Sequence, residues 1–181
     1  MMFWDPETYT HTWNFATHAH NGQTVPGTDH PYINHIGNVA MEVMTAIAKS
    51  ESFHNANLAI QCALLHDVLE DTDATYELVH ANFRVEVADG VQALTKNENL
   101  PSKEEQMADS LQRIRLQPHE VWMVKMADRI SNLQPPPKGW SNEKTRKYRD
   151  EANLIVGSLG DANEFLSNRL KEKIAFYDRH C

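Results

Sequence analysis

Leu58-Ala59-Ile60-Gln61-Cys62-Ala63-Leu64-Leu65-His66-Asp67-Val68-Leu69-Glu70-Asp71-Thr72 is the stretch on which the reading of this chain turns. Its first eight residues are apolar apart from Gln61 and contain no Gly or Pro, which predicts a helix from about residue 55 to residue 69. On a helix, residues three and four apart share a face, so His66 stands beside Glu70, and Asp67 beside Glu70 and Asp71. One helix end then directs an imidazole and three carboxylates at a common region. Such crowding of like charge is unfavourable unless a cation sits among the groups. His66 and Asp67 therefore read as ligands of a metal ion, with Glu70 and Asp71 left to handle water. A His-Asp pair alone would read as a local hydrogen bond; the apolar run before it and the two carboxylates after it favour the metal.

Upstream, Pro6 and Glu7 suit the first turn of a helix over residues 6–20, with Trp13, Ala16 and His20 on one stripe. Its histidines, His11, His18 and His20, read as surface or cap residues. Residues 21–30 contain Gly22, Pro26, Gly27 and Asp29 and read as a loop of the kind that shapes a site's mouth. Pro31 then opens a second helix, in which Ile36, Val39, Ala40, Val43, Met44 and Ile47 recur with a period of about 3.6. His35 lies in its first turns beside that stripe, as a core histidine or a ligand.

Downstream, residues 75–83 and 84–94 read as two short helices, the second weakened by Gly90. Residues 96–101 form a polar connection, and Ser102-Lys103-Glu104-Glu105 is a capping box opening a helix to about Leu116. Pro118 starts another, where Val121, Trp122, Val124 and Lys125 lead into Asp128. A carboxylate inside an apolar helical segment needs a cation, either Arg129 or another base, or a metal. Asn132 follows one turn later on the same face. Pro135-Pro136-Pro137-Lys138-Gly139 breaks the helix and reads as a connector. A helix over 141–159 has a basic start in Lys144, Arg146, Lys147 and Arg149; Gly160 suits its C-terminal cap, and Asp161 the cap of a last helix to about Tyr177. Strand alternation and internal repeats are absent, so the expected fold is all-α, one domain over residues 1–181.

The net charge of −8 disfavours a broad nucleic-acid or anionic-membrane surface, and leaves a small phosphorylated ligand, held by local cations or a metal, as the expected partner. No run approaches the roughly 20 apolar residues of a membrane span, and the acidic start Met1-Met2-Phe3-Trp4-Asp5-Pro6-Glu7 is not a signal peptide. Cys62 and Cys181 are the only cysteines, which fits a reducing cytoplasm. The oligomeric state is left open.

The ligand set drawn from three helices is His35, His66, Asp67 and Asp128, an arrangement that helix bundles support. Two imidazoles and two carboxylates suit Mn²⁺, Fe²⁺ or Zn²⁺. These residues resemble the H…HD…D pattern of the HD-domain phosphohydrolases. Four segments make the chain similar, over about residues 10–155, to the hydrolase domain of the RelA/SpoT homologues and their stand-alone form, the small alarmone hydrolases. They are Ala19-His20-Asn21-Gly22-Gln23, Pro31-Tyr32-Ile33-Asn34-His35, His66-Asp67-Val68-Leu69-Glu70-Asp71-Thr72 and Val124-Lys125-Met126-Ala127-Asp128-Arg129-Ile130-Ser131-Asn132.

The resemblance implies one Mn²⁺ on His35, His66, Asp67 and Asp128, with Glu70 and Asp71 orienting and deprotonating the attacking water. It implies that Asn132 supports the site near the 3′-phosphate and that Lys144 and Tyr148 contact the substrate. The implied reaction releases pyrophosphate from the 3′ position of (p)ppGpp. Thr24-Val25-Pro26-Gly27 stands where such enzymes carry an Arg-Lys pair, and Ile36 follows His35 where Pro is usual, which brings the adenine analogue (p)ppApp into consideration. Two other readings stand beside it: an HD-type nucleotidase releasing orthophosphate from nucleoside 5′-monophosphates, and a catalytically silent nucleotide-binding module.

Overall fold

A computed structural model describes residues 4–50 and 55–181. Among them run ten α-helices: α1 Pro6–Ala19, α2 Ile33–Lys49, α3 Ala56–Leu65, α4 Val68–Asp71, α5 Tyr76–Asn82, α6 Val85–Leu94, α7 Lys103–Arg115, α8 His119–Asn132, α9 Asn142–Leu159 and α10 Glu164–Tyr177. Short 3₁₀ turns follow α9 and α10. The described residues contain no strand, only the isolated bridge between Thr24 and Pro31, so the all-α expectation holds.

The apolar run that opened the sequence is the centre of the molecule. Eight of the ten residues of α3 are buried, all but Asn57 and Gln61, which is what an all-round apolar helix requires. α1, α2 and α8 pack around it, α6 covers a further side, and α10 closes over α8 and α2. No described helix is long and apolar enough to cross a membrane.

Helix ends follow the local chemistry closely. The Asp5 carboxylate accepts the amides of Glu7 and Thr8, and Ser102 Oγ accepts the amide of Glu105, the N-cap half of the expected capping box, while its hydroxyl donates to that residue's carboxylate. Three boundaries differ from the sequence expectation. Pro31 is not yet helical: it bridges to Thr24, and the Tyr32 amide donates to the Gln23 carbonyl at 2.9 Å, so α2 starts at Ile33. The helix expected over 55–69 breaks after Leu65, and His66 and Asp67 form a turn before α4. Gly160 is the C-cap of α9 as expected, with a right-handed φ of −59°, and begins a 3₁₀ turn; Asn163, not Asp161, caps α10 by accepting the Leu166 amide. A Cβ on Gly160 would stand 2.9 Å from Ser167 Oγ, so the bare glycine also favours close packing.

Gly90 reverses its propensity reading. α6 runs through it unbroken, and a Cβ there would lie 2.8 Å from Cys62 Sγ and 2.9 Å from Val121 Cγ2. Its bareness lets α6 press against α3 and α8. Gly90→Ala is expected to destabilise the fold by about 1–3 kcal/mol despite the better helix propensity of Ala. Thermal unfolding checks this, and an unchanged or raised Tm would show that the helices part freely.

Candidate metal centre

α2 supplies His35, the α3–α4 turn supplies His66 and Asp67, and α8 supplies Asp128. His35 Nε2 lies 3.3 Å from His66 Nε2, 3.4 Å from Asp128 Oδ1 and 3.6 Å from Asp67 Oδ2. His66 Nε2 lies 2.9 Å from Asp67 Oδ2 and 3.8 Å from Asp128 Oδ1. Donors about 2.1 Å from one ion stand roughly 3.0–3.4 Å apart in octahedral or tetrahedral geometry. The ligand atoms of His35, His66 and Asp128 lie within 4.8 Å of one another. Donor chemistry and spacing fit a divalent metal ion.

The supporting contacts aim these donors. His66 Nδ1 meets the Ala63 carbonyl at 2.9 Å, a bond made available by the break after Leu65. His35 Nδ1 meets Ser131 Oγ at 3.3 Å. Both contacts engage the far ring nitrogen and leave Nε2 for the cluster. Asn132 Nδ2 donates to Asp128 Oδ1 at 2.5 Å, and the Tyr32 hydroxyl donates to Asp67 Oδ2 at 2.7 Å and reaches Asp71 Oδ2 at 3.2 Å. Tyr32→Phe is expected to weaken metal binding roughly 10–100-fold, as loss of an outer orienting bond does. Competition with a chelator measures this; an unchanged affinity would show that the hydroxyl does not orient Asp67.

The electrostatics call for positive charge. Burial works against charging His35, yet the hydrogen bonds and charges of Asp128 and Asp67 outweigh it and raise the imidazole to about 9. His66 is raised too, burial again opposing and the Asp67 carboxylate prevailing. Burial pushes Asp67 and Asp128 up, but the two imidazoles outweigh it, with Tyr32 for Asp67 and Lys125 for Asp128, and both stay below the usual carboxylate range. Without a cation, protons on the imidazoles take the position a metal's charge would fill.

A cavity of about 210 Å³ opens over the cluster, walled by His66, Asp67, Asp128, Glu70, Asp71 and Asn132, with Tyr32, Leu94, Lys96 and Lys125. Glu70 accepts the Lys96 amide at 3.0 Å and pairs with the Lys96 ammonium. Asp71 is raised by burial and by the charges of Asp67 and Glu70. Its carbonyl accepts from Gln23 Nε2 at 2.5 Å, and Gln23 in turn meets His20 Nδ1 at 2.8 Å. His20 thus closes α1 as a cap, but it is buried, 3% exposed, and packs on Tyr32 with ring centroids 5.0 Å apart. A larger hollow of about 760 Å³ between α7 and α9 holds none of these ligands, so chemistry and not size marks the site.

The Arg129 alternative for Asp128 does not hold. Arg129 pairs with Glu151 at 3.0 Å and covers the Tyr148 ring at 4.1 Å. Lys144 and Tyr148 do not line the cavity: the Lys144 ammonium sits 4.2 Å over the Trp140 ring, and Tyr148 packs edge-on to that ring. Lys96, Lys125, Tyr32 and Gln23 are cavity or support residues that no periodicity marks. Gln23, Tyr32 and Lys125 do fall in the segments that carry the resemblance, and Lys125 is a basic residue inside the apolar run of α8.

The HD domain family model matches residues 12–163. The chain is 34% identical over 171 residues to guanosine-3′,5′-bis(diphosphate) 3′-pyrophosphohydrolase MESH1 of Danio rerio, covering 89% of each chain. It is 34% identical over 172 residues to MESH1 of Homo sapiens, covering 87% of this chain and 88% of that one. A solved structure of a metazoan ortholog of SpoT, described as hydrolyzing ppGpp and playing a role in starvation responses, superposes with a TM-score of 0.80 at 26% identity, over 95% of this chain and 96% of the other.

Proposed function

Because this chain belongs to the HD-domain family and, within it, to the MESH1-type pyrophosphohydrolases, we propose that it is a metal-dependent hydrolase of nucleotide alarmones, releasing pyrophosphate from the 3′ position of ppGpp and its kin. The observation that supports this reading is the convergence of His35, His66 and Asp128, with Asp67 Oδ2 2.9 Å from His66 Nε2 and 3.6 Å from His35 Nε2, beneath a cavity rimmed by Glu70 and Asp71.

His35, His66, Asp67 and Asp128 would hold a divalent ion, which would supply a Lewis acid that lowers the pKa of water and offsets charge on the phosphoryl group. We assign it to Mn²⁺, supported by the mixed imidazole and carboxylate donors, which Fe²⁺ and Zn²⁺ would also suit. Asp71, raised by burial and its acidic neighbours, is placed to accept the proton of the attacking water. Glu70, held by Lys96, orients that water. The water oxygen bonds to the phosphorus attached to O3′. The P–O3′ bond breaks with its electron pair on oxygen, which takes up a proton. The products are pyrophosphate and a nucleotide with a free 3′-hydroxyl, GDP or GTP.

About 210 Å³ accommodates phosphates and leaves the nucleoside outside the mouth. Asn132 reaches the phosphate end, while Lys144 and Tyr148 are assigned to the outer part of the substrate beyond the cavity wall. The loop Thr24-Val25-Pro26-Gly27 brings no Lys or Arg toward the base, so ppApp joins ppGpp as a substrate to compare. We take residues 1–181 as one catalytic unit, supported by a core continuous from α1 to α10. We place it in the cytoplasm, supported by two free cysteines, with no nucleic-acid polymer or membrane as partner.

The test is product analysis with Mn²⁺ on ppGpp, ppApp and nucleoside 5′-monophosphates. Equal amounts of pyrophosphate and nucleoside diphosphate are expected from ppGpp or ppApp. Orthophosphate from 5′-monophosphates alone would make it a nucleotidase, and binding without any product would make it a silent module.

A further inference from the structure

Lys125 lies on α8 three residues before Asp128 and is 7% exposed. An ammonium has three donors to satisfy, and burying it without acceptors is unfavourable. Among the described residues its nearest carboxylate oxygen is Asp128 Oδ2 at 3.8 Å, beyond hydrogen-bond length. Its side chain lines the cavity together with Glu70, Asp71 and Asp67. The other basic groups nearby are committed: Lys96 to Glu70, and Arg129 to Glu151 and the Tyr148 carbonyl. Once a divalent ion draws on Asp128, the Lys125 ammonium faces the cavity with donors to spare and an anion is needed to use them.

We propose that Lys125 is a catalytic residue whose ammonium donates to a non-bridging oxygen of the diphosphate under attack. This deepens the functional reading above and rests on it. As the water oxygen bonds to phosphorus and the P–O3′ bond breaks with its electron pair on O3′, the non-bridging oxygens of the diphosphate under attack carry negative charge in the transition state, and the fixed cation meets it there. The contact strengthens toward the transition state, so it acts on kcat more than on KM. No bond to nitrogen forms and no proton leaves it.

The experiment compares wild type with Lys125→Met and Lys125→Gln, with free Mn²⁺ clamped by a metal buffer. It reads bound metal, kcat and KM on ppGpp, and inhibition by inorganic pyrophosphate. Expected are full metal loading, a kcat lowered about 100-fold or more, as for loss of one oxyanion donor, and clearly weaker pyrophosphate inhibition. A folded, loaded variant with kcat within threefold of wild type, or with unchanged pyrophosphate inhibition, overturns the proposal. If both variants fail to fold, a wild-type crystal grown with pyrophosphate decides it: a phosphate oxygen within about 3.2 Å of Nζ supports the contact, and none there overturns it. Wild-type protein that releases no pyrophosphate from any nucleotide would instead sink the functional reading, a result these binding readouts keep separate.

Discussion

Asp128→Ala is expected to abolish both tight metal binding and pyrophosphate release. Asp128 is the one residue of the proposed ligand set on α8, so its loss removes one side of the cluster and leaves His35 and His66 facing Asp67 alone. The chemistry supplied by such an ion is several kcal/mol of charge stabilisation. At tenfold per ~1.4 kcal/mol, activity should fall about 1,000-fold or more. The same carboxylate helps to hold His35 near 9. A metal needs that imidazole neutral, so wild-type affinity should rise with pH until about 9 and fall as the pH drops. In Asp128→Ala the imidazole loses that support, and the residual pH dependence should move to lower pH. Calorimetric metal titration across pH reads both effects. A variant that binds the ion as tightly as wild type would remove Asp128 from the ligand set.

Asp71→Asn should behave differently: metal retained, chemistry lost. A positioned general base contributes about 10²–10⁴-fold, and kcat should fall by that amount with little change in KM. Asp71 is raised by burial and by Asp67 and Glu70, so wild-type kcat should decline as the pH falls through that raised value, when the carboxyl takes up its proton. Glu70→Gln should also lower kcat, because it weakens the pairing with the Lys96 ammonium at the cavity rim. If the two carboxylates act as a unit, the double variant will be little worse than Asp71→Asn alone. A full rate in Asp71→Asn would leave the acidic pair without a catalytic part.

The sequence made the proposed ligands visible because each breaks a hydrophobic pattern. His66 and Asp67 follow an apolar run that is buried almost throughout, and His35 and Asp128 interrupt apolar stripes on α2 and α8. Partnerships formed across the chain leave no such trace. Lys96 reads as part of a polar connector, yet it meets Glu70; Tyr32 reads as part of the helix that Pro31 opens, yet it precedes α2 and bridges Asp67 and Asp71. The break after Leu65 has no Gly or Pro to announce it. It turns His66 toward the Ala63 carbonyl, so tertiary demand overrides helix propensity there. Gly90 misleads propensity because what it serves is the close approach of other side chains. Lys144 and Tyr148 rest on resemblance, and the aromatic packing around Trp140 holds both outside the cavity.

A crystal soaked in Mn²⁺ and measured at the manganese absorption edge gives the most direct test. The expected result is one anomalous peak within about 2.3 Å of His35 Nε2, His66 Nε2, Asp67 Oδ2 and Asp128 Oδ1 together. A peak held only by Glu70 and Asp71, or none among these residues, would contradict a catalytic metal centre at this place.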